Sequence, residues 1–181
     1  MKIQEQAPAK INLALNILGR RTDGYHELRM VMQSVSLCDT VTVEETGTGF
    51  TLLADGFTVP AGKSSLEQQA AEAFFAAVGQ PMPPLTVHLE KTTPAYAGLG
   101  GGSADVAALL RCLRRQYAPE MPVEQLRAIG LTVGSDMPFC VSGGTALAEG
   151  RGERLTALPA LPDCWIVLCK PEFGIPTPAL F

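Results

Sequence analysis

Hydrophobic and polar residues alternate with period two from Ala9 to Ile17, placing Ile11, Leu13, Leu15 and Ile17 on one face and Lys10, Asn12, Ala14 and Asn16 on the other. This predicts a half-buried strand whose outer face carries Lys10 and Asn12. Residues 27–37 (ELRMVMQSVSL) and 40–45 (TVTVEE) read as two strands around a turn at Cys38 and Asp39, with a further strand over FTLLA at 50–54. The chain should therefore open as an antiparallel sheet. The period then changes: Leu66, Ala70, Phe74 and Val78 recur at helical spacing until Gly79 and Pro81 stop the run. Leu85, Val87 and Leu89 alternate with Thr86, His88 and Glu90, predicting a strand that leads into a glycine-rich stretch. Beyond it, Val106, Leu109, Leu110, Leu113 and Tyr117 predict a helix, and Pro122–Ile129 a short one closed by Gly130. TALAEG and GERLTAL suggest a hairpin across Gly150 to Gly152, and WIVLCK over 165–170 a short apolar strand before a proline-rich end.

A length of 181 residues with 46% hydrophobic content suits one globular domain with a proper core. A net charge of -4, with no basic cluster beyond Arg20–Arg21 and Arg114–Arg115, argues against nucleic acid as the main partner. The five cysteines, at 38, 112, 140, 164 and 169, show no CxxC or metal-ligand spacing and read as small apolar residues of a reducing compartment. The N-terminal stretch lacks the apolar core of a signal peptide, and no window approaches a membrane span, so a cytoplasmic location is expected.

The densest candidate chemistry lies at Pro94, Ala95, Tyr96, Ala97, Gly98, Leu99, Gly100, Gly101, Gly102, Ser103 and Ala104. Bare backbone this concentrated is entropically costly, and it runs into a helix for which Ser103 is a candidate N-cap and Asp105 a first-turn residue. Free amides and the positive end of a helix dipole there suit a phosphate. The pattern is neither the P-loop nor the dinucleotide fingerprint: no Lys precedes Ser103, and position 103 is not Gly. A glycine-rich turn that only lets the helix pack on a strand is the competing reading, and Asp105 weighs against an anion. Tyr25 and His26 follow the turn Thr22–Gly24, where they either stack on and hydrogen-bond a planar base or open a strand. Asp136 sits in the bend Gly134–Pro138 as a turn residue, or as a carboxylate that meets Lys10 in space. His88 reads as a surface residue, and no second histidine or carboxylate stands at metal-ligand spacing, so no protein metal site is assigned.

Six blocks in order, PAKINLAL at 8–15, GRRTDGYHEL at 19–28, AGLGGGSAD at 97–105, GSDMPF at 134–139, AEGRGE at 148–153 and PTPALF at 176–181, resemble the GHMP small-molecule kinases across nearly the whole chain. TDGYH together with GLGGGSAD is similar to the members whose acceptor is a cytidine-diphosphate-linked alcohol.

The resemblance implies an α/β (α+β) fold: a mainly antiparallel four- to five-stranded sheet packed on helices, with a left-handed βαβ crossover. By position, 1–160 would be the ATP-binding and catalytic N-terminal domain, and 161–181 a last strand and linker toward a C-terminal kinase domain absent from this chain. Pro94 to Ala104 would hold ATP, Lys10 and Asp136 would be the catalytic pair, and Asn12 a polar neighbour of the small-molecule substrate. Tyr25, His26 and Phe181 would hold a cytosine, with Thr177 near the reacting groups. Mg²⁺ would bridge the ATP phosphates. Phosphoryl transfer through a loose transition state depends on positioning and charge stabilisation, the work expected of a carboxylate, a lysine and a phosphate loop. Two departures stand out: the family carries Asn-Leu where this chain has Ser65 and Leu66, an adenine-side position, and its members continue for about a hundred residues further. The same fold serves other small alcohols, such as mevalonate or homoserine, and a chain ending at the junction could bind ligands without turnover.

Overall fold

Two 19-residue strands, β1 (Lys2–Arg20) and β2 (His26–Glu44), pair antiparallel along their length and form the spine of the sheet. The computed structural model describes residues 2–54 and 64–171. The remaining elements are β3 (Phe50–Ala54), α1 (Leu66–Val78), β4 (Leu85–Glu90), α2 (Gly101–Tyr117), α3 (Val123–Leu131), α4 (Met137–Ser142), β5 (Thr145–Gly150) and β6 (Arg154–Ala157). The strand order is β3-β4-β2-β5-β6, with β1 on the other edge of β2. These six strands exceed the expected four to five. β3 and β4 are parallel neighbours joined through α1, a βαβ unit, while every other pairing is antiparallel.

β2 shares one edge between two partners: β4 takes Thr40–Glu44 and β5 takes Leu28–Gln33. The strands part around residues 34–39, and the chain leaving β4 turns away there toward α2. Helix α2 packs on β1 and β2 and is itself backed by α1, α3 and α4. Val106, Leu109, Leu110 and Leu113 from α2 meet Val41, Val43, Phe74, Leu85 and Phe139 in one core. Helix α1 forms where periodicity placed it. Ser65 accepts a hydrogen bond from Gln68 N at 3.1 Å as its N-cap, and Gly79 closes it in the left-handed region.

Several expectations are corrected. The turn at Cys38 and Asp39 does not form: β2 runs through it, because the fully buried Asp39 carboxylate finds donors in another segment and has no need of a local turn. The strict alternation of β1 fails because Leu13 and Leu18 are skipped in the register with β2. With a third register shift between Pro8 and Lys10, these irregularities break the period of two, so Leu13, Ile17 and Leu18 are exposed while Lys10 is buried at 6% exposure. Helix α2 begins at Gly101 with Gly100 as N-cap, which puts Ser103 inside the helix and Asp105 beyond the first turn, buried. The bend at 134–138 opens into α4, which the periodicity did not reveal. The apolar run 165–170 forms no strand: it lies against no ladder partner among the described residues, with Trp165 99% and Val167 92% exposed. Of the five free cysteines, Cys112 and Cys140 are core residues whose thiols burial pushes up to about 12, but Cys164 and Cys169 are exposed.

One buried ion cluster joins the layers. The Lys91 ammonium, just past β4, hydrogen-bonds both Asp39 of β2 and Asp105 of α2. Asp39 also accepts from the backbone N–H groups of Thr92 at 2.6 Å and Thr93 at 2.7 Å. Burial alone would raise the Asp39 carboxyl, but these donors outweigh it and hold it below the usual carboxylate range. Asp105 behaves oppositely. Its burial, aided by the charges of Asp39 and Glu67, overrides Lys91 and pushes the carboxyl up to about 7, and its Oδ1 has no hydrogen-bond partner among the described residues.

The signs differ accordingly. Between about pH 4 and pH 7 the folded chain holds a proton at Asp105 that the unfolded chain has released, so this group makes stability fall as pH rises through that window. Asp39 adds stability above the ordinary carboxylate range and loses it as acid titrates the folded group. Asp105→Asn is therefore expected to flatten the decline in stability on going from about pH 5 to pH 7, measured by urea titration at each pH. Asp39→Ala strips the acceptor from two amides and an ammonium and should cost about 3–5 kcal/mol, read as a lower urea midpoint at unchanged slope.

Candidate active site

The cluster fixes where the glycine loop departs, and Gly101 packs directly over it. A Cβ on Gly101 would lie 3.1 Å from Thr93 Cγ2 and 3.6 Å from Lys91 Nζ. Gly100, at φ +67°, caps α2 in a conformation that L side chains rarely adopt, and a Cβ there would stand 2.9 Å from Lys10 Cγ. Gly98 and Gly102 instead have open space where a side chain would begin. The 17-residue helix α2 thus presents its unpaired first-turn N–H groups beside uncluttered backbone, which fits a phosphate. Tyr96 takes a positive φ of 54° and is exposed, so the bulk of its ring stays off this backbone.

Lys10 ties the sheet to this loop. Its N–H donates to Leu99 O at 2.9 Å, its methylene stem runs along Gly100, and its Nζ ends 3.5 Å from Asp136 Oδ2. A buried ammonium needs a counter-charge, and Asp136, about one-third exposed, supplies one while still facing solvent. Asp136 is free for this because α4 does not use its side chain as a cap; Asp136 contributes only its carbonyl, to Cys140 N at 3.1 Å. The expected pairing of Lys10 with Asp136 is present, and Lys10 is not on a solvated face.

The β5–β6 turn closes the other side. A Cβ on Gly152 would lie 2.9 Å from Met30 Cε, 3.7 Å from Ser135 O and 4.0 Å from Asp136 Oδ1, so the turn rests against the loop that carries the carboxylate. One residue earlier, the Arg151 guanidinium carbon sits 4.8 Å over the Tyr25 ring. Tyr25 is 53% exposed at the end of the β1–β2 turn, its N–H bonded to Asp23 Oδ1 at 3.1 Å. It does not join the core, which leaves its ring available to a ligand. His26 pairs with Arg20 at the last rung of the β1–β2 ladder, and Asn12 lies two residues beyond Lys10, exposed. Thr177 and Phe181 lie outside the described residues.

Lys91, Asp39 and Arg151 were missed from the sequence. An aspartate inside an apolar strand, Asp39 in VSLCDTVTV, was the available signal for the first two; nothing local marked Arg151 as reaching Tyr25. A separate hollow of about 270 Å³ beside Glu5, Ser34 and Arg111 is a weaker candidate, since Arg111 is spent on the carbonyls of Gln6 and Cys140 at 2.7 and 2.8 Å. Among the described residues no group of three or more His, Cys, Asp or Glu side chains could hold a metal ion, and no helix is long and apolar enough to cross a membrane.

The chain is similar to known proteins over nearly its whole length. Residues 65–144, from the N-cap of α1 to the turn before β5, match the family described as GHMP kinases N terminal domain. The chain is 45% identical over 175 residues to 4-diphosphocytidyl-2-C-methyl-D-erythritol kinase of Moorella thermoacetica, covering 97% of this chain and 61% of that protein. It is 41% identical over 182 residues to the enzyme of the same name from Bacillus cereus, covering 98% and 61%. This chain therefore spans less than two thirds of the length of these relatives. A crystal structure of 4-(cytidine 5'-diphospho)-2C-methyl-D-erythritol kinase superposes with a TM-score of 0.72 at 41% identity, covering 88% of this chain and 56% of that one. Methanococcus jannaschii mevalonate kinase shares the fold at 14% identity, with a TM-score of 0.67. Residues 65–144 thus carry the match to the GHMP kinase N-terminal domain, and nearly the whole chain is similar to kinases named for 4-diphosphocytidyl-2-C-methyl-D-erythritol.

Proposed function

We propose that this chain supplies the nucleotide-binding and catalytic residues of a cytoplasmic kinase that transfers the γ-phosphate of ATP to the 2-hydroxyl of 4-diphosphocytidyl-2-C-methyl-D-erythritol. The observation that carries this reading is Lys10, a single buried side chain that lies on Gly100 at the head of α2 and ends 3.5 Å from Asp136. It brings a phosphate cradle, a cation and a base within one lysine's reach.

The roles follow from the chemistry of each group. The backbone of Pro94 to Ala104, with its open glycines and the first N–H groups of α2, would hold the ATP phosphates. Bound Mg²⁺ would neutralise charge on those phosphates, and no protein ligand is assigned to it. Asp136 accepts the proton of the acceptor hydroxyl as that oxygen bonds to the γ-phosphorus and ADP departs. Lys10 holds the carboxylate in place and offsets the negative charge that develops on the transferring group. Tyr25 would stack on the cytosine and His26 read its hydrogen-bonding edge, with Asn12 beside the polyol. Phe181 and Thr177 keep their proposed places at the base and the reacting groups.

Asp136→Asn, which retains size and loses basicity, is expected to lower kcat at least about a hundredfold. Lys10→Met, which keeps the stem on Gly100, should do the same through loss of the charge. Circular dichroism of both variants should match the wild type, and wild-type rates in either would contradict the assignment. Tyr25→Ala should raise KM for the cytidyl substrate; an unchanged KM would favour another small alcohol as acceptor. Gly100→Ala forces a side chain into a left-handed backbone, at about 1–2 kcal/mol, and against Lys10. Its kcat/KM for ATP-dependent phosphorylation should fall by at least about tenfold, while a near-normal value would show that the loop tolerates displacement.

A further inference from the structure

The turn between β5 and β6 carries one cation that the roles above leave unused. Five guanidinium groups lie at this end of the sheet: Arg20, Arg21, Arg29, Arg151 and Arg154, of which Arg20, the last residue of β1, has neither a carboxylate nor a ring partner among the described residues. Arg21 pairs with Asp23 at 3.0 Å and Glu27 at 2.6 Å, Arg29 with Glu149 at 3.0 Å, and Arg154 with Glu27 at 2.7 Å. Among the described residues Arg151 has no carboxylate within ion-pair distance and no hydrogen bond from its guanidinium. That group instead sits 4.8 Å over the exposed Tyr25 ring. An aromatic face supports a guanidinium without consuming its N–H donors, so the fork stays available, and a phosphate oxygen pair is the ligand it fits best.

The position gives that availability meaning. The Arg151 backbone is held by its N–H bonding Glu153 Oε2 at 2.6 Å, and a Cβ on the adjoining Gly152 would lie 4.0 Å from Asp136 Oδ1. Residues 151 and 152 therefore span from the ring proposed to hold the base to the carboxylate proposed to act on the hydroxyl. A substrate with cytosine at one end and a polyol at the other carries its diphosphate between them, where Arg151 stands. Asp23, two residues before Tyr25, feels the Arg151 charge but is hydrogen-bonded by Arg21 and by the Tyr25 N–H rather than by Arg151.

We propose that Arg151 binds the diphosphate of the cytidyl substrate and thereby selects diphosphate-linked cytidine over uncharged alcohols. The inference rests on the assignment of Tyr25 and Asp136 to the two ends of that substrate. Arg151 does not touch the reacting atoms, so its contribution should appear in KM and in ligand affinity, with kcat nearly unchanged.

The test is isothermal titration of the full chain with cytidine and with cytidine diphosphate, in the wild type and in Arg151→Met, which keeps an apolar stem over Tyr25. The expected result is that the substitution weakens cytidine diphosphate by at least about tenfold and cytidine by less than about twofold, with Arg151→Lys intermediate. In steady-state assays Arg151→Met should raise KM for the diphosphocytidyl substrate and leave kcat within about twofold. Equal weakening of both ligands would mean that Arg151 only props the ring, and no weakening of the diphosphate would remove it from the site; either result overturns the inference and leaves the base assignment intact. A wild-type chain that binds neither ligand overturns both together. Arg151→Gln carries the same expectations and replaces the methionine variant if that one does not fold.

Discussion

A single ammonium, that of Lys91, holds together the three segments on which the site depends. It lies where β4 and β5 part along β2, and it binds a carboxylate from the strand and another from the central helix. One positive charge against two acids in a buried place cannot neutralise both. The structure resolves this by giving Asp39 the backbone donors of Thr92 and Thr93 and leaving Asp105 half-satisfied, easily protonated near neutrality. The result is a rigid departure point for the glycine loop. Gly101 can then lie directly on Thr93 and Lys91, and α2 starts at one fixed place and angle relative to the sheet.

From that start the remaining geometry is steric. Gly100 lacks a side chain and adopts a positive φ, so Lys10 can pass across it; any Cβ would occupy the path of the lysine stem. Lys10 reaches inward where the β1–β2 register shifts on either side of it, and a lysine drawn in this way must end on an acid. Asp136 can be that acid since α4, which starts at Met137 with Pro138 in its first turn, takes no side-chain cap from it. Gly152 then lets the β5–β6 turn come close enough to confine the carboxylate and to carry Arg151 over Tyr25. Each approach uses a glycine at the point of contact, which accounts for much of the glycine in the chain's motifs.

Periodicity told where regular structure lies, and motif order told which chemistry to look for. The strand over Leu85 to Glu90, the helix over 66–78 and the hairpin about 150–152 follow from residue spacing because their partners repeat regularly. The errors share one cause, a tertiary partner that changes what a local pattern means. Asp39 looks like a turn residue until two amides and a lysine are placed around it. Leu13 looks like core until a bulge turns it outward, and the apolar run 165–170 looks like a strand although no described strand pairs with it. At the site, Lys10 and Asp136 were named from motif order, but their contact, the stem on Gly100 and the reach of Arg151 to Tyr25 are distances between residues far apart in sequence.

The central claim is that these groups together move a phosphoryl group to a hydroxyl. The most direct measurement is ³¹P NMR of the wild-type chain with ATP, Mg²⁺ and 4-diphosphocytidyl-2-C-methyl-D-erythritol. The account predicts a new phosphomonoester resonance on the 2-oxygen that grows in equal amount with ADP. ATP converted to ADP and inorganic phosphate with no new ester, or an unchanged spectrum, would contradict it.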